Sequence, residues 1–270
     1  MKKVVLITGA SSGIGKTTAQ LLLQKGYTVY GAARRIEKMN DLKQAGANIL
    51  QMDVSDDNSM VKGIEKIIEN EGNVDVLINN AGFGSYGAIE EVPIADARYQ
   101  LEVNVFGAAR LTQLVIPHMK KRQSGKIVNI SSIGGKFAAP FGGWYHASKF
   151  ALEALSDSLR MEVNPFGIDV IVIEPGGVKS EWGDIAMEHA LKVTKEEAYK
   201  KIVQKTMEST EKLKEKITEP EVIANLIYKA ITAKNPKTRY SGGFMAGITL
   251  FMRKILSDKL MDNLILSQMK

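Results

Sequence analysis

Tyr145 and Lys149 set a phenol and an ammonium four residues apart just ahead of a long amphipathic run. On a helix that spacing puts both on one face. A free phenol loses its proton near pH 10, and a neighbouring cation stabilises the phenolate, so Lys149 is expected to pull the pKa of Tyr145 down toward the range of a working acid/base catalyst. A second constellation stands at the N-terminus: Thr8-Gly9-Ala10-Ser11-Ser12-Gly13-Ile14-Gly15. Gly9, Gly13 and Gly15 let the backbone turn tightly. With Ser11, Ser12 and Ile14 they form a cradle where unpaired N–H groups and a helix dipole favour a pyrophosphate.

A third group qualifies the second. About 20 positions past such glycines, an NAD-binding protein normally carries an acid for the adenine ribose. Here the chain has Ala33, then Arg34 and Arg35. A carboxylate would repel a 2′-phosphate, whereas guanidinium groups grip one through charge-assisted hydrogen bonds of about 1.5–3 kcal/mol each. The pattern predicts an NADP(H) site, against the plainer alternative of two arginines at a solvated strand end.

These groups need elements to hold them. Residues 3–7 form a first apolar strand, 16–25 an amphipathic helix closed by Gly26, and 28–32 a second strand. Residues 49–52 make a third strand ending in Asp53-Val54, an edge for the adenine ring, and 55–70 a helix. Strand 75–78 runs into Asn79-Asn80-Ala81-Gly82, whose small and amide-bearing residues let backbone and cofactor sit close, beside Gly9. A long helix over 95–121 carries Asn104 among apolar neighbours; buried there, it needs a partner, most simply across a helix–helix contact. Strand 126–130 ends in Ser131-Ser132, a helix runs from Tyr145 to about Val163, and strand 169–173 ends in Glu174-Pro175-Gly176-Gly177-Val178-Lys179-Ser180. Alternation at this rhythm implies a parallel sheet with helices on both faces and ligands at the carboxyl ends of the strands.

Composition narrows the class. At 44% hydrophobic and 24% charged residues the chain is a soluble globular protein, and its 270 residues suit one large α/β domain. It has no cysteine, which excludes disulfides and thiolate chemistry, and His118, His146 and His189 show no ligand spacing, so no metal is expected. The first apolar run is too short for a signal peptide, and no uncharged stretch reaches the roughly 18 residues of a membrane span, which makes the cytoplasm the default address. The net charge of +6 suits a polyanionic ligand; it is spread rather than clustered, which argues against nucleic acid.

Taken together, Thr8-Gly9-x-x-x-Gly13-Ile14-Gly15, Asn79-Asn80-Ala81-Gly82, Asn104, Ser132, Tyr145-x-x-x-Lys149 and Pro175-Gly176 resemble the short-chain dehydrogenase/reductase family in order and spacing, over roughly residues 1–180. The resemblance implies a doubly wound Rossmann fold with a seven-stranded parallel sheet, commonly in a homodimer or homotetramer. It implies catalysis by Ser132, Tyr145 and Lys149, with Asn104 supporting a proton relay and Ser131 standing behind. Where the family often has threonine, Ser180 keeps a hydroxyl for the nicotinamide carboxamide, next to Pro175, Gly176 and Val178. The segment 177–182 and the long tail look most like the 17β-hydroxysteroid and retinol dehydrogenase-like branch.

The expected activity is therefore hydride transfer between NADP(H) and a small-molecule carbonyl or secondary alcohol, including lipophilic ones such as a steroid or retinoid. The alternative is a catalytically silent NADP(H)-sensing regulator, which would not require Ser132, Tyr145, Lys149 and Asn104 all at once. Residues 182–216 read as a substrate lid, Thr218-Glu219-Pro220-Glu221 as a capping box restarting a helix, and 238–241 as the last strand. The tail 246–270 spaces Ile248, Phe251, Met252, Ile255, Leu256, Leu260, Leu264 and Ile265 helically beside Arg253, Lys254 and Lys259. It would dock on the protein or a twin, cover the pocket, or lie on an anionic membrane surface.

Overall fold

The computed structural model describes residues 2–213 and 215–267. Lys214 in the expected lid and residues 268–270 of the tail lie outside the described residues. Seven strands form one parallel sheet in the order β3-β2-β1-β4-β5-β6-β7: β1 Val4–Thr8, β2 Thr28–Ala33, β3 Asn48–Gln51, β4 Val76–Asn79, β5 Gly125–Ile130, β6 Ile168–Pro175 and β7 Arg239–Gly242. The order reverses between β1 and β4, so the crevice of a doubly wound sheet opens there at the carboxyl ends.

The strands are apolar on both sides because both faces are covered. In β1 all five residues are buried. Val5 and Ile7 pack with α1 (Gly13–Gln24) and α9 (Pro220–Thr232) through Ala19, Leu22, Ile223 and Ile227. Val4 and Leu6 face α3 (Asp57–Glu71) and α5 (Gly107–Arg122) through Ile64, Ile67, Leu111 and Val115. Full burial of each such side chain contributes about 1.5–3 kcal/mol, so the two layers hold the sheet between them. The strand-to-strand link the sequence left open, between β2 and β3, is a 3₁₀ turn Ile36–Met39 and the short α2 Asn40–Gln44, anchored by Met39 and Leu42 in the core.

Three local expectations are corrected. The helix over 95–121 is not uniform: α4 (Ile94–Leu101) passes into a π-helical turn Glu102–Phe106 before α5. Such an insertion turns Asn104 inward against its neighbours rather than leaving it on the regular helical face. The capping box at 218–221 does not form. Pro220 at the first helical position moves the N-cap to Glu219, whose side chain makes no cap and pairs with Lys179 instead. The tail is two helices, α10 Ala246–Ile255 and α11 Asp258–Ser267. It docks through Ala246 and Met261, while Ile248, Phe251, Ile255 and Leu260 stay exposed. Among the described residues, no helix is long and apolar enough to cross a membrane.

Candidate active site

At the carboxyl ends of the strands lies a cleft of about 990 Å³. Its floor is set by Thr8, the last residue of β1. The Thr8 hydroxyl accepts from the Asn80 and Ala81 N–H groups, each at 3.0 Å, and Asn80 Nδ2 donates to the Thr8 carbonyl at 2.9 Å. These bonds seat the end of β4 against the glycine turn. Gly9 has φ +66°, and a Cβ there would meet Ala81 Cα at 3.0 Å. Only glycine gives the backbone that turn and leaves the space open. The first turn of α1 has Ser12 as N-cap with no side-chain cap, and Ser12, Gly13 and Ile14 line the cleft. A dinucleotide pyrophosphate fits this cradle.

Of the site residues expected from the sequence, Gly9, Ser11, Ser12, Gly13, Ile14, Arg34, Arg35, Asp53, Val54, Asn80, Ala81, Gly82, Ser132, Tyr145, Lys149, Pro175, Gly176, Val178 and Ser180 line this one cleft. Gly15 lies just beyond that lining, where a Cβ would meet the Gly9 carbonyl oxygen at 2.5 Å, so its glycine permits the close turn. At the adenine end, Asp53 Oδ1 accepts from the Ser55 N–H at 2.9 Å and hydroxyl at 2.7 Å. Arg34 Nη1 donates to the Tyr99 hydroxyl at 2.7 Å, and Arg35 pairs with Glu181 at 3.3 Å. Lys38, from the turn after β2, pairs with the same carboxylate at 3.0 Å. Lys38 first, then Arg35, hold the Glu181 carboxyl below its ordinary pKa.

At the other end, β5 delivers Ser132, and α6 (Gly143–Val163) delivers Tyr145 and Lys149 from one face. Ser132 Oγ donates to the Pro175 carbonyl at 3.5 Å and accepts from the Gly134 N–H at 3.0 Å. Lys149 Nζ donates to the Ile130 carbonyl at 2.8 Å and lies 5.9 Å from the Tyr145 ring centre. The expected depression of the phenol does not occur in the protein alone. Burial pushes Tyr145 up to about 12, with Ser132 opposing, and pushes Lys149 down to about 8, with Glu153 opposing. Desolvation penalises the charged form of each group, and the ammonium is turned toward a carbonyl rather than the phenol oxygen.

Asn104 also stands behind the wall. Its Nδ2 donates to the Phe83 carbonyl at 2.9 Å and to Ser148 Oγ at 3.0 Å, and its Oδ1 accepts from the Phe83 N–H at 3.1 Å. The helix–helix bond expected of a buried asparagine is therefore present, and the same side chain fastens the loop after β4. A Cβ on Gly82 would lie 3.1 Å from Asn104 Oδ1 and 3.7 Å from Lys149 Nζ, so the three groups are neighbours. Ser131 Oγ is buried without a hydrogen-bond partner.

Several contributors escaped sequence reasoning. The ring of Trp182 packs 4.8 Å from that of Tyr145, and Tyr86 lies 5.8 Å from it. His146 Nδ1–H donates to the Gly134 carbonyl at 2.9 Å, and Phe137 packs on its ring. Tyr86 and Phe137 stand in loops and Trp182 in the first turn of the helix Glu181–Val193, places where no periodicity marks a site residue. Lys38 was legible in principle, as a third cation close behind Arg34 and Arg35.

A parallel doubly wound sheet, a capless helix start at its switch point and a serine, tyrosine and lysine at the far end define the class of dinucleotide-binding oxidoreductases. Residues 3–190 match the short chain dehydrogenase family. The chain is 38% identical over 242 residues to the 3-ketodihydrosphingosine reductase of Bacteroides thetaiotaomicron, covering 89% of this chain and 88% of that one. It is 35% identical over 249 residues to the NADPH-dependent 3-dehydrocapnine reductase of Ornithobacterium rhinotracheale, covering 88% and 87%. With human 17-beta-hydroxysteroid dehydrogenase type 1 it shares 34% over 254 residues, covering 88% and 77%. The chain belongs to the short-chain dehydrogenase/reductase family and is an oxidoreductase. That leaves the catalytically silent alternative without support.

Proposed function

We propose that the protein is an NADP(H)-dependent reductase/dehydrogenase interconverting a carbonyl and a secondary alcohol on a lipophilic molecule. The observation that carries this reading is the meeting of Ser132 with buried Tyr145 and Lys149 at one end of a dinucleotide-sized cleft. NADP(H), when bound, supplies or accepts the hydride. Ser132 donates a hydrogen bond to the substrate oxygen as negative charge grows there, and Tyr145 delivers the proton to it in the reductive direction. Lys149 would hold the ribose hydroxyls of the bound cofactor and would stabilise the phenolate left on Tyr145. Asn104 Oδ1 keeps a water near Lys149 through which the proton is restored from solvent. Arg34 and Arg35 take the 2′-phosphate, which the absence of an acid at Ala33 permits; the NADPH dependence named for the relative from Ornithobacterium supports this.

The lipophilic substrate is supported by Tyr86 and Trp182 packed on the Tyr145 ring and by Phe137, Ile185, Met207 and Ile217 lining the same cleft. Two relatives whose names carry a 3-keto or 3-dehydro compound point the same way. In this reading α7 (Glu181–Val193) and α8 (Glu197–Leu213) form the lid. The exposed stripe of Ile248, Phe251 and Ile255, with Lys254 beside it, rests on an anionic bilayer from which the substrate comes. The enzyme works as a homo-oligomer, for which exposed Phe106, Phe150 and Leu155 offer apolar surface.

The test is NADPH oxidation with long-chain 3-keto amines, steroids, retinoids and sugars under one assay, with Tyr145→Phe alongside. Tyr145→Phe is expected to keep dinucleotide affinity and lose at least about a hundredfold in turnover. Near-normal turnover in that variant, or turnover of the sugars alone, would sink the reading.

A further inference from the structure

The adenine end of the cleft carries an anion of the protein's own. Glu181, the first residue of α7, bridges two cations: Oε1 lies 3.0 Å from Lys38 Nζ and Oε2 3.3 Å from Arg35 Nη2. Arg34 donates to the Tyr99 hydroxyl instead. The three side chains of the bridge are 40–49% exposed, so it is open to solvent and readily exchanged. Glu181, Arg34 and Arg35 all line the same cleft.

The next residue in the chain reaches the opposite end. Trp182 lies 4.8 Å from the Tyr145 ring and edge-on to Tyr86 at 5.7 Å. One peptide bond therefore joins the group that holds the cations to the group that covers the phenol. A phosphate monoester brings up to about two negative charges and three acceptor oxygens, against one charge and two oxygens from a carboxylate.

We propose that Lys38 is a further ligand of the cofactor's 2′-phosphate and that Glu181 is the internal stand-in this phosphate displaces, so that NADP(H) but not NAD(H) releases the first turn of α7 and lifts Trp182 from Tyr145. This rests on the NADP(H) reading above. Glu181 then lowers affinity for the correct dinucleotide slightly, and in return the substrate face of Tyr145 opens only when that dinucleotide is in place. Lys38 and Glu181 act as specificity residues.

The experiment titrates the full chain with adenosine 2′,5′-bisphosphate and with adenosine 5′-monophosphate, which differ only in the 2′-phosphate, and reads affinity by calorimetry. Glu181→Gln should tighten the bisphosphate by about threefold to tenfold, the worth of two exposed ion pairs, and leave the monophosphate unchanged. Lys38→Met should weaken the bisphosphate by a similar factor and also leave the monophosphate unchanged. The protein has two tryptophans, so a Trp144→Phe background leaves Trp182 as the reporter. The bisphosphate should shift its emission, the monophosphate should not, and Glu181→Gln should begin at the shifted value. Equal affinity of the unaltered chain for both ligands would overturn the NADP(H) reading, and this one with it. A preference for the bisphosphate that Glu181→Gln fails to increase, that Lys38→Met fails to reduce, or that leaves Trp182 emission unmoved would overturn the displacement alone.

Discussion

With Tyr145 raised to about 12 and Lys149 lowered to about 8, both hold their protons at neutral pH in the protein without its cofactor. The first group to titrate as pH rises is then the lysine. Because kcat/KM reports ionisations of the free enzyme, reductive kcat/KM is expected to fall above about pH 8 as the Lys149 charge is lost. A profile flat from about pH 7 to 10 would contradict that. Cofactor choice also belongs to single residues. Ala33→Asp with Arg34→Ser should shift preference toward NADH by up to about two orders of magnitude, the scale of one lost charge-assisted contact. A parent protein that already binds NADH more tightly than NADPH would refute the assignment of the β2 end.

Among the elements, the π turn at Glu102–Phe106 and the α7–α8 pair do most to shape the site. The π turn sends Asn104 into a buried clasp between the β4 loop and α6. The α7–α8 pair is held from outside by polar contacts. His189 lies between the Tyr86 carbonyl at 2.7 Å and Asp96 at 3.1 Å, and Glu91 caps the start of α8 by accepting from the N–H groups of Lys195 and Glu196. Few of its side chains join the two main cores, so it should open at lower free energy than the strands. Amide exchange over 182–213 is expected to be faster than in β1, β4 and β5. Slower exchange there would rule out a lid.

On the scale of the whole molecule, the tail leaves an apolar stripe outward although its other face is docked. Full-length protein should sediment with anionic vesicles, and a chain ending at Gly247 should do so markedly less, with high salt weakening the difference. Equal sedimentation would remove the tail from membrane contact.

How much of this was legible depended on the range of the interaction concerned. The apolar runs, the glycine turn and the Tyr145–Lys149 spacing are local signals, and each expected strand lies within two residues of the observed one. They determined the parallel sheet and its cleft, because a strand buried on both faces and a helix entered through glycines are written in adjacent residues. The capping box failed where Pro220 reset the helix start. The depressed phenol failed because a pKa depends on how much water reaches the group, which no spacing encodes. Only the tertiary structure could bring Glu181 to Arg35 and Lys38, more than 140 positions away in sequence, or Trp182 onto Tyr145. Those meetings are made by the sheet order and by the route of the chain after β6, and long-range contacts of single side chains leave no periodic trace in the sequence.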